Sequence, residues 1–152
     1  MKTNFAYLAG FIDGDGCLLA QLVKSTDYIY KYQIRITINF YQKTTRHWFL
    51  LELQKELGGS LVKRKDGMSV LTIVESTRVE ELLTKILSNL RVKRKTAELL
   101  LEIINDKKKI NNKCDFLKVC KKVDKVAEYT DSKKRKITSE VVESCLKTTC
   151  RD

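Results

Sequence analysis

Two carboxylates in unusual company are the residues of this chain most suited to chemistry. The stretch Tyr7 to Gly16, YLAGFIDGDG, ends in Asp13 and Asp15, each followed by a glycine. Leu8, Phe11 and Ile12 recur at helical spacing, so the stretch begins as a helix. A helix C-terminus carries partial negative charge and favours Lys or Arg. Two acids there are electrostatically misplaced unless a cation answers them, and local rules are most often broken at working sites. Taken alone, DGDG reads first as a solvated turn. An EF-hand is excluded, because the third acid and the distal Glu are missing. Gly10 and Gly14 lie four apart and bare one strip of backbone. That spacing is what close contact between two helices requires. A tight helix–sheet contact inside one chain is the other reading.

The elements that must hold these acids follow from periodicity. Thr3 or Asn4 can cap a helix that runs to about Asp13, with Gly14 to Gly16 ending it. Residues 17–24 read as a strand before a turn at Ser25, Thr26 and Asp27. From Tyr30 to Phe40, apolar Tyr32, Ile34, Ile36, Ile38 and Phe40 alternate with Lys31, Gln33, Arg35, Thr37 and Asn39. Such alternation is that of an antiparallel strand with one wet face. A helix follows over about Thr44 to Leu57, stopped by Gly58-Gly59, with Trp48 expected in the core. A hairpin turns at Asp66-Gly67 between Leu61–Lys65 and Met68–Val74. Thr77 and Glu80 form a capping box ahead of the stripe Val79, Leu82, Leu83, Ile86, Leu87 and Leu90. The order αββαββα, with paired strands, implies an α+β fold whose antiparallel sheet is covered by helices on one side. Further helices are expected at about Lys95–Asp106, Asp115–Tyr129 and Ser139–Lys147. A single domain is expected, with its core over residues 1–106 and a helical extension over 107–152.

Composition narrows the partner. The net charge of +11 favours an anionic partner, with a merely basic surface as the bland alternative. No apolar run approaches the roughly 18 residues that span a bilayer, so no membrane role is expected. No secretory signal is evident. Five cysteines, no CxxC pair and one histidine argue against structural zinc and read as reduced thiols.

YLAGFIDGDG resembles the LAGLIDADG motif of homing endonucleases. QKTTRHWFL (42–50), RVKRKTAELLLEII (91–104) and DSKKRKITSE (131–140) resemble the single-motif, homodimeric subgroup encoded in organellar introns. The resemblance covers nearly the whole chain. It implies a four-stranded antiparallel sheet lying in the DNA major groove and two motif helices packed at a dimer axis. Leu8, Gly10, Phe11, Asp13 and Gly14 would form that interface. It implies Asp15 as the catalytic metal ligand, with the Gly14 carbonyl as a further ligand, and Asp13 as architecture, capping backbone nearby. Mg²⁺ is the implied cofactor, with Mn²⁺ substituting and Ca²⁺ supporting binding without cleavage; hard oxygen donors suit such a cation. Gln42 would position the attacking water, and Arg46 and Lys93 would steady developing charge. Without the resemblance, each of these three reads as a plain surface residue.

The resemblance also assigns sequence recognition to the wet sheet face. Its candidate readers are Gln21, Ser25, Tyr28, Gln33, Arg35, Thr37, Asn39, Lys63, Lys65, Val70 and Thr72; amides suit adenine and cations suit guanine. An ordinary solvated face is the alternative. Eleven strand residues span roughly 36 Å, about one turn of B-DNA. Ser132, Lys133 and Lys136, with the basic runs at 107–109 and 133–136, are expected to meet phosphates; a solvated charge run is the alternative, more so for 107–113 than for 133–136. The implied activity is a double-strand break at a long pseudo-palindromic site, leaving 3′ overhangs, on double-stranded DNA rather than a small-molecule substrate. Location in a chloroplast or mitochondrion follows from the resemblance alone. The same scaffold also implies two other functions, an intron RNA maturase and a catalytically inactive DNA-binding relative. The presence of Asp15, Gln42, Arg46 and Lys93 counts against the latter.

Overall fold

A computed structural model describes residues 3–130 and 135–146. Its elements are α1 (Phe5–Asp15), β1 (Gly16–Lys24), β2 (Tyr32–Lys43), α2 (His47–Leu57), β3 (Ser60–Lys63), β4 (Met68–Ile73), α3 (Ser76–Ile86), α4 (Arg94–Lys107), α5 (Lys113–Val126) and α6 (Ser139–Leu146). The αββαββα order and the α+β class are therefore as the patterning implies. The four strands run in the order β1-β2-β4-β3, with β4 antiparallel to both of its neighbours. No helix among the described residues is long and apolar enough to cross a membrane.

The chain forms two compact units. One comprises the residues up to Leu19 together with Ile36–Ala97; the other comprises Ala20–Arg35 together with the residues from Glu98 onward. In the first, Leu8 and Ile12 of α1, Ile38 and Phe40 of β2, Leu50 and Leu53 of α2 and Leu83 and Ile86 of α3 are buried. Each set falls on one face of its element, which is why the period of two in β2 and the longer helical period could both be read. In the second, Tyr32 and Ile34 are buried, as are Leu100 and Ile104 of α4 and Val119 and Val123 of α5. Tyr30 stacks on Phe116 with ring centroids 4.9 Å apart.

Several local expectations are corrected. Helix α1 runs on through Gly14 to Asp15 and is capped by Asn4, whose side chain accepts from the amides of Ala6 and Tyr7. A 3₁₀ turn over Thr44–Arg46 precedes α2. Helix α3 begins at Ser76 without any side-chain cap, so Thr77 and Glu80 lie inside it rather than forming a box at its end. Helix α5 starts at Lys113, two residues before the expected Asp115, and is capped by Asn112. Trp48 is 63% exposed; it opens outward from the first turn of α2 while Leu50 and Leu53 take the buried face.

Candidate active site

Helix α1 delivers the acids because its two faces have opposite fates. Leu8, Ala9 and Ile12 are buried, while Tyr7, Gly10, Gly14 and Asp15 are exposed. A Cβ added at Gly10 or Gly14 would meet nothing within 4 Å. The glycine strip is therefore open, and a tight helix–sheet contact within the chain is ruled out. Leu8, expected at a dimer interface, is fully buried in its own chain and corrected to core. Phe11 is half-buried against Phe40 and Phe49.

The two acids divide cleanly. Asp13 turns inward: its carboxylate accepts the backbone amides of Arg91 at 2.8 Å and Lys93 at 2.9 Å. With both oxygens engaged by its own chain, Asp13 is a fastener rather than a surface for a partner. Asp15 is exposed, and its carboxylate has no partner among the described residues.

Lys93 enters the same place from the loop before α4. Its ammonium donates to the carbonyls of Ile12 and Gly16, each at 2.6 Å. The Ile12 carbonyl, which also accepts the Gly16 amide, and the Gly16 carbonyl lie at the negative end of the helix, so Lys93 is the cation that the α1 C-terminus calls for. Burial pushes the neighbouring Cys17 thiol above its ordinary range, with the Lys93 charge acting the other way.

Gln42 and Arg46 form a pair, the Arg46 guanidinium donating from Nε to Gln42 Oε1. Gln42 stands opposite Ser69 across β2 and β4, and Ser69 opposite Lys63 across β4 and β3. Lys63 is exposed, but by register it shares the row of Ser69 and Gln42 rather than that of the other expected readers. Those occupy the alternate rows: Asn39 pairs with Thr72, and Tyr41 with Val70. His47, which the patterning left unassigned, places Nδ1 2.8 Å from the hydroxyl of Ser69. The only cue to it was a lone histidine directly after Arg46.

The expected reading face is less open than its alternation implies. Thr37 is 5% exposed and Asn39 8%, so both are corrected from wet to buried. Short side chains on a central strand are overtopped by their neighbours; Asn39 lies beside Tyr41 and donates to its hydroxyl at 3.2 Å. The acceptor Oδ1 of Asn39 and the Nε of Arg35 are buried without partners. Gln33 and Arg35 are half-buried, with Arg35 donating to Gln33 at 3.4 Å. Val70 and Thr72 are half-buried, and Gln21, Lys63 and Lys65 are exposed. Ser25 and Tyr28 sit on the β1–β2 loop, closed by Ser25 N donating to Lys31 O and Lys31 N to Tyr28 O, both at 2.9 Å.

Two expected phosphate ligands face inward. Lys107 donates to the Ile34 carbonyl at 2.9 Å, and burial holds its ammonium below the ordinary lysine range. Arg135 donates to the carbonyls of Val123 and Ala20. Lys136 is exposed. Ser132, Lys133 and Lys134 lie outside the described residues.

As a metal site the arrangement is partial but of the right kind. Asp15 offers an unpaired carboxylate, and Gly14 is exposed next to it. No cluster of three acid, histidine or cysteine ligands occurs among the described residues. Hard oxygen donors short of a full shell fit a cation that completes its coordination with water and phosphate.

Relatives with these elements are recognisable. The model of the LAGLIDADG endonuclease family matches residues 8–101. DNA endonuclease I-CvuI of Chlorella vulgaris is 45% identical over 150 residues, covering 96% of this chain and 91% of that protein. DNA endonuclease I-CreI of Chlamydomonas reinhardtii is 40% identical over 146 residues, covering 95% and 90%. The crystal structure of homing endonuclease I-CvuI with its DNA target and calcium matches at a TM-score of 0.88 and 44% identity, covering 94% of this chain and 92% of that one. With an open glycine strip on the motif helix, a free acid at its end and this likeness along nearly its full length, the chain belongs to the LAGLIDADG endonuclease family.

Proposed function

We propose that two copies of this chain form a site-specific DNA endonuclease for intron homing. It breaks both strands of a long pseudo-palindromic site by metal-dependent phosphodiester hydrolysis and leaves 3′ overhangs. The observation that carries this reading is Asp15, without a partner among the described residues, at the end of a helix whose Gly10–Gly14 strip leaves room for an added Cβ with nothing within 4 Å. A second copy laid along that strip brings two such acids together, and a +11 chain supplies the attraction for the polyanion.

Each residue then has a task. Asp15 and the Gly14 carbonyl hold Mg²⁺, which when bound lowers the pKa of a coordinated water and offsets charge on phosphate. Mn²⁺ substitutes for it, and Ca²⁺ supports binding without cleavage. Gln42, held by Arg46, orients the attacking water. The Arg46 guanidinium has donors to spare beyond the one given to Gln42 and steadies the charge on the scissile phosphate. Lys93 spans the Ile12 and Gly16 carbonyls and keeps the acid-bearing turn in place while adding positive potential. Gly10, Gly14 and Phe11 serve the dimer interface.

Recognition falls to Gln21, Ser25, Tyr28, Gln33, Arg35, Lys65, Val70 and Thr72 as base readers. The buried, unsatisfied Asn39 Oδ1 and Arg35 Nε are polar atoms that an internal water can satisfy. Thr37 contributes through packing, and Lys63, Ser132, Lys133 and Lys136 through phosphate. The whole chain works as one endonuclease domain, its later helices included, in an organelle. Cleavage selection from a randomised duplex library with Mg²⁺ tests the reading. A two-fold-related site cut on both strands is the expected outcome. Tight binding to structured RNA without any DNA cleavage would replace it with the maturase reading.

A further inference from the structure

We propose that His47 is a positioning residue for the Gln42–Arg46 pair and acts through Ser69; the inference rests on the endonuclease reading above. His47 opens α2 directly after Arg46. Its Nδ1 lies 2.8 Å from the Ser69 hydroxyl, and Ser69 is fully buried on β4. Ser69 stands directly opposite Gln42, and Gln42 accepts the Nε–H of Arg46. Two side-chain bonds, one strand pairing and one peptide link thus close a loop through β2, the 3₁₀ turn, the start of α2 and β4.

The polar groups of this segment have few other ties. Neither the 3₁₀ turn nor α2 has a side-chain cap at its start. The buried hydroxyl of Thr44 has no partner. One backbone bond, Thr44 N to Gly67 O at 2.8 Å, holds the turn to the β3–β4 loop. Beside the packing of Phe49 and Leu50, the bond between His47 and Ser69 is therefore the polar side-chain tie that sets where the first turn of α2, and with it Arg46, stands relative to β4 and Gln42. A neutral imidazole can accept from the serine hydroxyl or donate to it, so either tautomer keeps the tie. With Nδ1 spent on Ser69, His47 touches neither Gln42 nor Arg46 directly; its influence passes through geometry. Positional errors of about 1 Å in such a constellation cost on the order of a hundredfold in rate.

The test compares His47→Asn, whose amide can still reach Ser69, with His47→Phe, which fills the space without the bond. Single-turnover cleavage with Mg²⁺, DNA affinity with Ca²⁺, and the ¹H–¹⁵N signal of Arg46 Nε–H in the free protein are measured for each. We expect His47→Phe and Ser69→Ala each to slow cleavage about ten- to a hundredfold with affinity changed less than about twofold. The double variant is no slower than either single one, as members of one unit behave. His47→Asn restores most of the rate, and the Arg46 signal shifts or broadens in His47→Phe and returns in His47→Asn. Wild-type cleavage by His47→Phe, parallel loss of rate and affinity, or an unmoved Arg46 signal overturns the proposal. If the wild type cuts no duplex, the endonuclease reading fails, while the Arg46 signal still decides whether His47 holds the pair.

Discussion

The backbone amide of Lys93 donates to Asp13 at 2.9 Å, and the ammonium of the same lysine returns to the carbonyls of Ile12 and Gly16 at 2.6 Å. One acid and one base, 80 positions apart, thus clamp the end of α1 from both sides. The electrostatic conflict visible in DGDG is answered by the chain itself at Asp13. It is left open at Asp15, which is the residue free to bind something else.

Asp13→Asn removes one of two acceptors and turns an NH₂ group toward a backbone N–H. Hydrogen bonds to a charged acceptor contribute about 1.5–3 kcal/mol each, and this one is half-exposed, so a loss of about 2 kcal/mol is expected. The denaturant midpoint measures it. Cleavage falls as well, because the turn that presents Asp15 loses its anchor.

Asp15→Asn should behave in the opposite way. Its carboxylate has no partner among the described residues, so folding stability stays within about 0.5 kcal/mol of the parent. Cleavage with Mg²⁺ is lost, while DNA binding with Ca²⁺ persists. Residual cutting at the parent rate would sink the metal assignment.

Gly10→Leu separates folding from assembly. An added Cβ at Gly10 meets nothing within 4 Å, and leucine is the better helix former by roughly 0.8 kcal/mol. The variant should give a folded circular-dichroism spectrum yet sediment as a monomer and cut poorly. Sedimentation as a dimer would remove the glycine strip from the interface.

Cys120 makes stability fall in alkali. Burial, with Asp124 nearby, pushes its thiol from 9.0 up to about 12. In the unfolded chain it ionises from near 9, so there the unfolded state binds fewer protons and stability drops as pH rises between those values. The stabilisation is fully present below pH 9, and by pH 10 about 1 kcal/mol is lost. Comparing denaturant midpoints at pH 8 and 10 checks this; Cys120→Ala should flatten the difference.

The alternation of β2 named its buried side chains correctly because a period of two is a local property of a strand. The same alternation misjudged Thr37 and Asn39, since the cover over a short side chain is decided by the strands beside it. Trp48 was misjudged for a similar reason: the periodicity of α2 is satisfied by Leu50 and Leu53, and size alone does not place a tryptophan inside. Arg135 and Lys107 were expected on phosphate because nothing nearby in the chain hints at the carbonyls of Val123 or Ile34 that receive them.

Taken by itself, then, the amino-acid order determined the elements, the fold class and the identity of the acid-bearing helix end, all of which rest on spacings of two to four residues. Only the tertiary structure decided which acid was already spent, which cation capped α1, and that His47 stands on Ser69. Those outcomes depend on hydrogen bonds between groups distant in sequence, such as the 80 positions from Asp13 to Lys93. Their partners are chosen by how helices and strands pack rather than by any local preference.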